Sequence, residues 1–214
     1  MNSTGRFIRT RLLPGIVIAG LAMAAGIFTA RLLVKHDAPV DPLAATRFPA
    51  ARSLQPFSLL DHTGKSFDNT TLQGQWSFVF FGYTHCPDVC PTTMSVLNSV
   101  AQRLQDAGEK IQFVMVTVDP QRDTAEKLGS FVTYFNGDFI GVTGSETALE
   151  QLTRQMGIMF MKVNESDNPA AYLVDHTASV FLFDPDGRYH AIFSPPLSVD
   201  AIASDFTAMA GDYR

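Results

Sequence analysis

Cysteine is scarce in this chain: its 214 residues hold two. Two sulfurs cannot build a four-cysteine zinc site or a multi-disulfide scaffold, so the fold must rest on a packed core. Internal repeats and low-complexity tracts are absent from the sequence, which excludes solenoid architectures and a disordered chain. Base is also scarce beyond the N-terminus. Five of the 16 Lys/Arg residues (Arg6, Arg9, Arg11, Arg31, Lys35) fall in the first 35 positions, where there is no acid, leaving 11 to face all 21 Asp/Glu. An acidic body lacks the cationic face that displaces counterions from a phosphate backbone, so no nucleic-acid partner is expected. What is abundant is apolar: 46% hydrophobic against 17% charged is a globular composition, and the length suits one domain with attachments.

The first attachment is apolar. Leu12 to Ala30 runs without a charge. At about 1.5 Å per residue its 19 positions reach roughly 28 Å, close to the hydrocarbon thickness of a bilayer. The arginines before it keep the N-terminus cytoplasmic by the positive-inside rule and send the body outward, although Arg31 and Lys35 weaken the asymmetry. The expected organisation is a cytoplasmic segment at 1–11, a transmembrane anchor at 12–34, an extended linker at 35–55 and a folded domain at 56–214. Ala22-Met23-Ala24 also fits a signal-peptide cleavage site, the alternative to an anchor. Either way the body lies outside the cytoplasm, as for a bacterial inner-membrane protein facing the periplasm. With no cysteine directly after the span, lipoprotein attachment is excluded. Pro39, Pro42 and Pro49 suit a tether.

Strands and helices alternate in the body. Phe57–Leu60 and Lys65–Phe67 flank a glycine turn and suggest a hairpin. Trp76–Phe81 and Ile111–Val118 are almost wholly apolar, as strands covered on both faces should be. Met94, Leu97, Val100, Ala101 and Leu104 recur at helical spacing, with Pro91 at the helix start and an end near Ala107-Gly108. Asp123-Thr124-Ala125-Glu126 reads as a capped helix start with a reciprocal Glu, and Leu128, Phe131, Val132 and Phe135 follow on one side. A short strand at Phe139–Val142 and a helix at Glu146–Met156 come next. Asp184-Pro185-Asp186-Gly187 turns a hairpin between Ala178–Phe183 and Tyr189–Phe193, and Ser198 caps a last helix. This order predicts an α/β sandwich with mixed strand directions.

Chemistry concentrates at the junction Phe80-Phe81-Gly82-Tyr83-Thr84-His85-Cys86-Pro87-Asp88-Val89-Cys90-Pro91. Cysteines four apart at a helix start share one face, and the positive end of the helix favours thiolate. Such a pair binds a soft metal or exchanges electrons as a disulfide; soft sulfur selects Cu(I), and a structural zinc site would want four ligands. A purely structural disulfide is a poor reading, because a five-residue ring removes little entropy from the unfolded chain. His176, in Leu173-Val174-Asp175-His176-Thr177-Ala178, is available as a third ligand. Spacing alone leaves a lone histidine more readily a loop or core residue than a ligand.

The Phe80–Pro91 stretch, Asp119-Pro120-Gln121-Arg122-Asp123-Thr124, Asp175-His176-Thr177 and Asp184-Pro185-Asp186-Gly187 together resemble the SCO (SenC/PrrC) family, over roughly residues 53–210. The resemblance implies a thioredoxin-like fold with an extra N-terminal hairpin, here preceded by one transmembrane helix. It implies a site for copper, as Cu(I) or Cu(II), made by Cys86, Cys90 and His176. The function implied is a membrane-anchored metallochaperone that serves the dinuclear copper centre of cytochrome c oxidase subunit II. Such a carrier needs an upstream copper donor, and a thiol reductant outside the cytoplasm to keep the pair reduced. The alternative is a thiol-disulfide reductase using Cys86 and Cys90 as a redox pair on the oxidase subunit or another exported client. The CxxxC spacing, and the absence of proline from Asp175–Ser179, argue against a dedicated reductase. A peroxiredoxin arrangement before Cys86 is missing as well.

Two departures stand out: Gln121, where relatives often carry an acid, and Met156-Gly157-Ile158-Met159-Phe160-Met161, where they often carry tyrosines. Those methionines are expected to fill the core, though thioethers also bind Cu(I). His36, His62 and His190 are expected to be bystanders, His85 a tuning neighbour, and Asp175 an orienting partner for His176 or a solvated acid.

Overall fold

The computed structural model describes Met23 and residues 44–164, 172–176 and 178–213. The expected span at 12–34 falls, Met23 apart, outside them. Among the described residues no helix is long and apolar enough to cross a membrane.

The apolar run at 76–82 becomes the central strand. β4 (Trp76–Gly82) is buried at every position, because neighbours cover its edges and side chains cover both faces. Chain order then identifies its flanks: β1 (Ala45–Arg52), β2 (Ser58–Asp61), β3 (Ser66–Asp68), β5 (Ile111–Thr117), β6 (Ile140–Thr143), β9 (Val180–Phe183) and β10 (Tyr189–Phe193). These eight form one sheet in the order β1-β10-β9-β4-β5-β6-β2-β3. The centre, β4-β5-β6, is parallel, and the pairings outside it are antiparallel. Parallel neighbours need crossovers, which are supplied by α1 (Val89–Arg103) and α2 (Ala125–Phe135). Two further helices, α3 (Glu146–Met156) and α4 (Val199–Tyr213), follow β6 and β10. A separate two-stranded sheet pairs β7 (Phe160–Asn164) with β8 (Tyr172–His176). The thioredoxin-like expectation of a mixed sheet with an added hairpin, β2–β3, is met.

Aromatic rings hold the centre. Phe78 and Phe113 are register partners across β4 and β5, and their rings stack with centroids 5.0 Å apart. Phe139 extends the stack at 5.2 Å, and Phe206 of α4 meets both Phe78 and Trp76 at 5.5 Å. Offset and edge contacts of this kind add to the burial of large side chains.

The structure corrects several sequence expectations. Residues 45–52, expected inside an extended linker, form the edge strand β1, so the folded body starts at Ala45 and not at 56. Pro49 cannot donate to a ladder, and its strand has, among the described residues, a partner on one side only and a register irregularity between Arg47 and Arg52. Asp205 accepts from the Ala45 N–H at 2.7 Å, Arg47 pairs with Asp212 at 2.8 Å, and Phe48 packs edge-on to Tyr189. Helix α1 starts at Val89, ahead of Pro91, and stops at Arg103, one turn before Ala107. Pro91 is tolerated because first-turn N–H groups have no helical partner. The residues from Phe160 to His176 are not loop alone: strands bracket the 165–171 interval.

Candidate metal centre

Strand β4 ends at Gly82, and the next six residues lead into α1. A Cβ at Gly82 would lie 2.7 Å from the Phe80 ring and 2.9 Å from Cys90 Sγ. Real Cβ atoms do not approach that closely, so glycine is what lets the Cys90 sulfur settle on the strand end. Cys90, the second residue of α1, is fully buried; Cys86 is half-buried, and the two are thiols, not a disulfide. The Cys90 N–H donates to Cys86 Sγ at 3.4 Å, so the helix start does turn a donor toward sulfur. The expectation of thiolate character is not met at Cys90. Burial pushes the Cys90 thiol well above its ordinary pKa, and the neighbouring Cys86 adds to the shift, although the Tyr83 backbone N–H pulls the other way. A soft metal ion held by the pair would remove that obstacle, since coordination strips a thiol of its proton.

Opposite the cysteine loop stands β8. Tyr83, Cys86 and Pro87 form one wall of a cleft of about 350 Å³, and Val163, Leu173, Val174 and Asp175 form the other. Tyr83 ties the walls together. Its buried hydroxyl takes a hydrogen bond from the Val174 backbone and shares one with the Cys86 side chain. Burial raises the Tyr83 pKa, and the two cysteines add to this.

The segment after β5 anchors both walls. Asp123 is fully buried: one carboxylate oxygen accepts from the Thr84 N–H at 3.0 Å and from the Thr117 hydroxyl at 2.7 Å, the other from the Thr84 hydroxyl at 2.6 Å. The expected cap at Asp123 is therefore corrected. Thr124 caps α2, with its hydroxyl accepting from Lys127 N–H at 3.3 Å, because Asp123 is engaged by the cysteine loop. Asp119, also fully buried, accepts from the Tyr172 hydroxyl at 2.7 Å and pairs with Arg122. Arg122 Nη1 donates to the Tyr172 carbonyl at 3.1 Å, and its guanidinium lies 3.6 Å over the Tyr172 ring. Burial, followed by the hydrogen bond to Asp119, pushes the Tyr172 phenol up to about 12. Three charged residues thus hold the two sides of the cleft. The sequence alone reads Asp123 as part of a helix start and does not reveal the role of Asp119. Acids directly after a buried parallel strand were the available signal, because sites in α/β sheets gather at strand C-termini.

His176 closes β8, with its backbone opposite Phe160 and two residues beyond Val174. Its imidazole lies outside the described residues. Among the described residues no group of three His, Cys, Asp or Glu side chains is placed to hold a metal. Asp175 is exposed on the cleft wall. His85 turns to its own side of the loop, with Nδ1 3.1 Å from the Thr84 hydroxyl and 3.6 Å from Asp123. His62 Nδ1 accepts from Gly141 N–H at 3.1 Å, and His190 packs edge-on to Trp76, so both serve the scaffold. His36 lies outside the described residues. Gln121 bonds to Glu146 and Lys162 at the surface. Of the methionines, Met156 is in the core as expected, but Met159 and Met161 are exposed.

Comparison with known proteins gives a consistent picture. The SCO1/SenC family model matches residues 45–211. The mitochondrial SCO2 homolog of Bos taurus is 33% identical over 213 residues, covering 98% of this chain and 79% of that protein. The Arabidopsis thaliana ScoI structure with copper bound is similar with a TM-score of 0.70 and 31% identity, covering 74% of this chain and 98% of that one. The Bradyrhizobium japonicum ScoI structure with copper bound is similar at a TM-score of 0.65 and 30% identity, over 73% and 99%.

Proposed function

The chain belongs to the SCO1/SenC family, and from that premise we propose that it is a copper metallochaperone of cytochrome c oxidase assembly. Its cargo is held by the thiolates of Cys86 and Cys90 and the imidazole of His176. The observation that carries this reading is the pair of thiols four residues apart, of which Cys90 is buried and Cys86 lines a cleft whose opposite wall is the strand bearing His176. Two soft sulfurs and one imidazole accept either copper oxidation state. The open cleft admits an incoming ligand from a recipient, so copper moves by exchange of one ligand for another and is never released. Relatives solved with copper bound support the choice of metal.

The recipient in this reading is the dinuclear copper centre of oxidase subunit II. An upstream donor loads the site, and an extracytoplasmic thiol reductant returns an oxidised pair to thiols. Residues 12–34 anchor the chain in a bacterial inner membrane, with the cleft on the periplasmic side.

The unequal exposure of the two sulfurs favours a second reading, a thiol-disulfide reductase. The accessible Cys86 sulfur attacks a client disulfide and forms a mixed disulfide, which Cys90 resolves. The client gains two electrons, the pair becomes a disulfide, and the external dithiol reduces it again. His176→Ala separates the readings. A chaperone loses tight copper binding in competition with a chromophoric chelator and keeps its disulfide chemistry. A reductase keeps its turnover of a disulfide substrate, and its copper affinity is irrelevant to that activity. Unchanged copper affinity in His176→Ala would overturn the assigned ligand set.

A further inference from the structure

The Met159-Phe160-Met161 stretch has no part in the cysteine site. Packing explains Met156, which is 7% exposed, but not Met159 and Met161, which are 81% and 64% exposed. Exposure alternates from Ile158 to Met161. Ile158 is buried and Phe160 packs against the core, while Met159, Met161 and Val163 face solvent. Large apolar side chains held in water forgo the stabilisation that burial brings. Two thioethers on one face of an extended segment, however, make a soft donor pair. Residues two apart on a strand are separated by about 6.5 Å, and three rotatable bonds per methionine let the sulfurs converge on one ion.

The surroundings favour a cation. Met159, Met161 and Asp175 border one cavity of about 690 Å³, and Asp175 is the cross-strand partner of Met161. Glu150 and Arg154 on its rim pair with each other at 3.0 Å, which leaves the Asp175 carboxylate as the uncompensated charge among the described residues of the lining. Asp175 also borders the cleft that holds Cys86, so the two cavities adjoin at that residue.

We propose that Met159 and Met161 form a second, solvent-facing Cu(I) site, with the Asp175 carboxylate balancing the charge, from which copper passes to Cys86. The proposal rests on the reading of the chain as a copper carrier. Transfer is ligand substitution: a bond from copper to the Cys86 thiolate forms as a copper–thioether bond breaks. Copper stays Cu(I), the thiol proton leaves to water and no electron moves. Neutral thioethers bind Cu(I) more weakly than thiolates, which sets the direction toward the cysteines.

The test is an anaerobic Cu(I) titration of the full chain carrying 13C-labelled methionine methyl groups. The first equivalent is expected to leave the Met159 and Met161 methyl resonances in place. The second is expected to shift those two and spare the buried Met94, Met115, Met156 and Met209. The M159L/M161L double variant, close in size and shape, is expected to bind one equivalent in place of two. Saturation of the wild type at one equivalent, a second equivalent that leaves both methyl groups unmoved, or two equivalents retained by the double variant would each overturn the proposal. Cys86→Ser probes the other site: retention of the methyl shifts in that variant supports the thioether site even where the cysteine ligand set fails.

Discussion

Asp123→Ala is the perturbation whose consequences follow most closely from the geometry. The carboxylate is fully buried and accepts three hydrogen bonds, two from Thr84 and one from Thr117. Hydrogen bonds to a charged group contribute about 1.5–3 kcal/mol each, and a buried donor left without a partner costs about 1–3 kcal/mol. The three bonds share one residue, so their losses do not add in full. The two hydroxyls rotate to other acceptors, but the Thr84 N–H cannot. A total destabilisation of about 3–5 kcal/mol is expected, a large share of the roughly 5–15 kcal/mol that holds a domain folded. With a urea slope of about 2 kcal/mol/M the unfolding midpoint falls by roughly 2 M. Asp123→Asn keeps the shape. Its oxygen serves the Thr84 N–H and the Thr117 hydroxyl while its amide donates to a rotated Thr84 hydroxyl, so a loss of only about 1 kcal/mol is expected. Thr84 lies two residues from Cys86, so Asp123→Ala also frees the cysteine loop, and Cys86 alkylation under native conditions accelerates. An Asp123→Ala midpoint within about 0.5 M of wild type, at an unchanged slope, would refute this account of what fixes the loop.

Gly82→Ala places a methyl carbon against the buried Phe80 ring and Cys90 Sγ; overpacking costs of about 1–3 kcal/mol are expected by denaturant unfolding, together with weaker copper binding. In the native protein Cys86 should react with iodoacetamide on the order of tenfold or more faster than Cys90, which is buried and has a raised thiol pKa; mass spectrometry of the labelled peptides reads the ratio. Asp184 supplies a pH dependence. Burial raises its carboxyl, but the His190 ring 3.8 Å away and the hydrogen bonds from Arg188 outweigh this and hold it below the ordinary value. The unfolded chain therefore binds the proton more readily, so the stabilisation is complete above about pH 4 and disappears as pH falls through the folded-state value. Asp184→Asn should lower stability at pH 7 and flatten the acid limb of the stability–pH curve, as read by thermal unfolding.

Legibility in the sequence follows how locally each feature is determined. The strands β4 and β5 read directly as unbroken apolar runs, because only a sheet covered on both faces tolerates them. Helix α3 is found at the limits expected from the sequence, and the structure shows the local reason: Ser145 caps its start and Gly157, at φ 69°, ends it. Strand β1 escaped because its alternation is weak, a proline interrupts it, and its partner β10 lies some 140 residues on. Strands β7 and β8 escaped because Met161, Lys162 and Val163 of β7 are all exposed, so the strand shows neither the alternation of a half-buried strand nor the branched apolar run of a buried one. At the site, the cysteine pair is visible from spacing, whereas His176 is a candidate third ligand that spacing alone leaves open and that the family resemblance singles out. The anchoring roles of Asp119, Arg122 and Asp123 were hidden, since their partners Tyr172 and Thr84 lie about 40–50 residues away.

The ligand set itself is tested most directly by X-ray absorption of the Cu(I)-loaded chain at one equivalent. The account predicts two sulfur scatterers and one nitrogen from imidazole, with the nitrogen lost in His176→Ala and a sulfur lost in Cys86→Ser. An unchanged coordination shell in His176→Ala, or a shell without two sulfurs in the wild type, would contradict it.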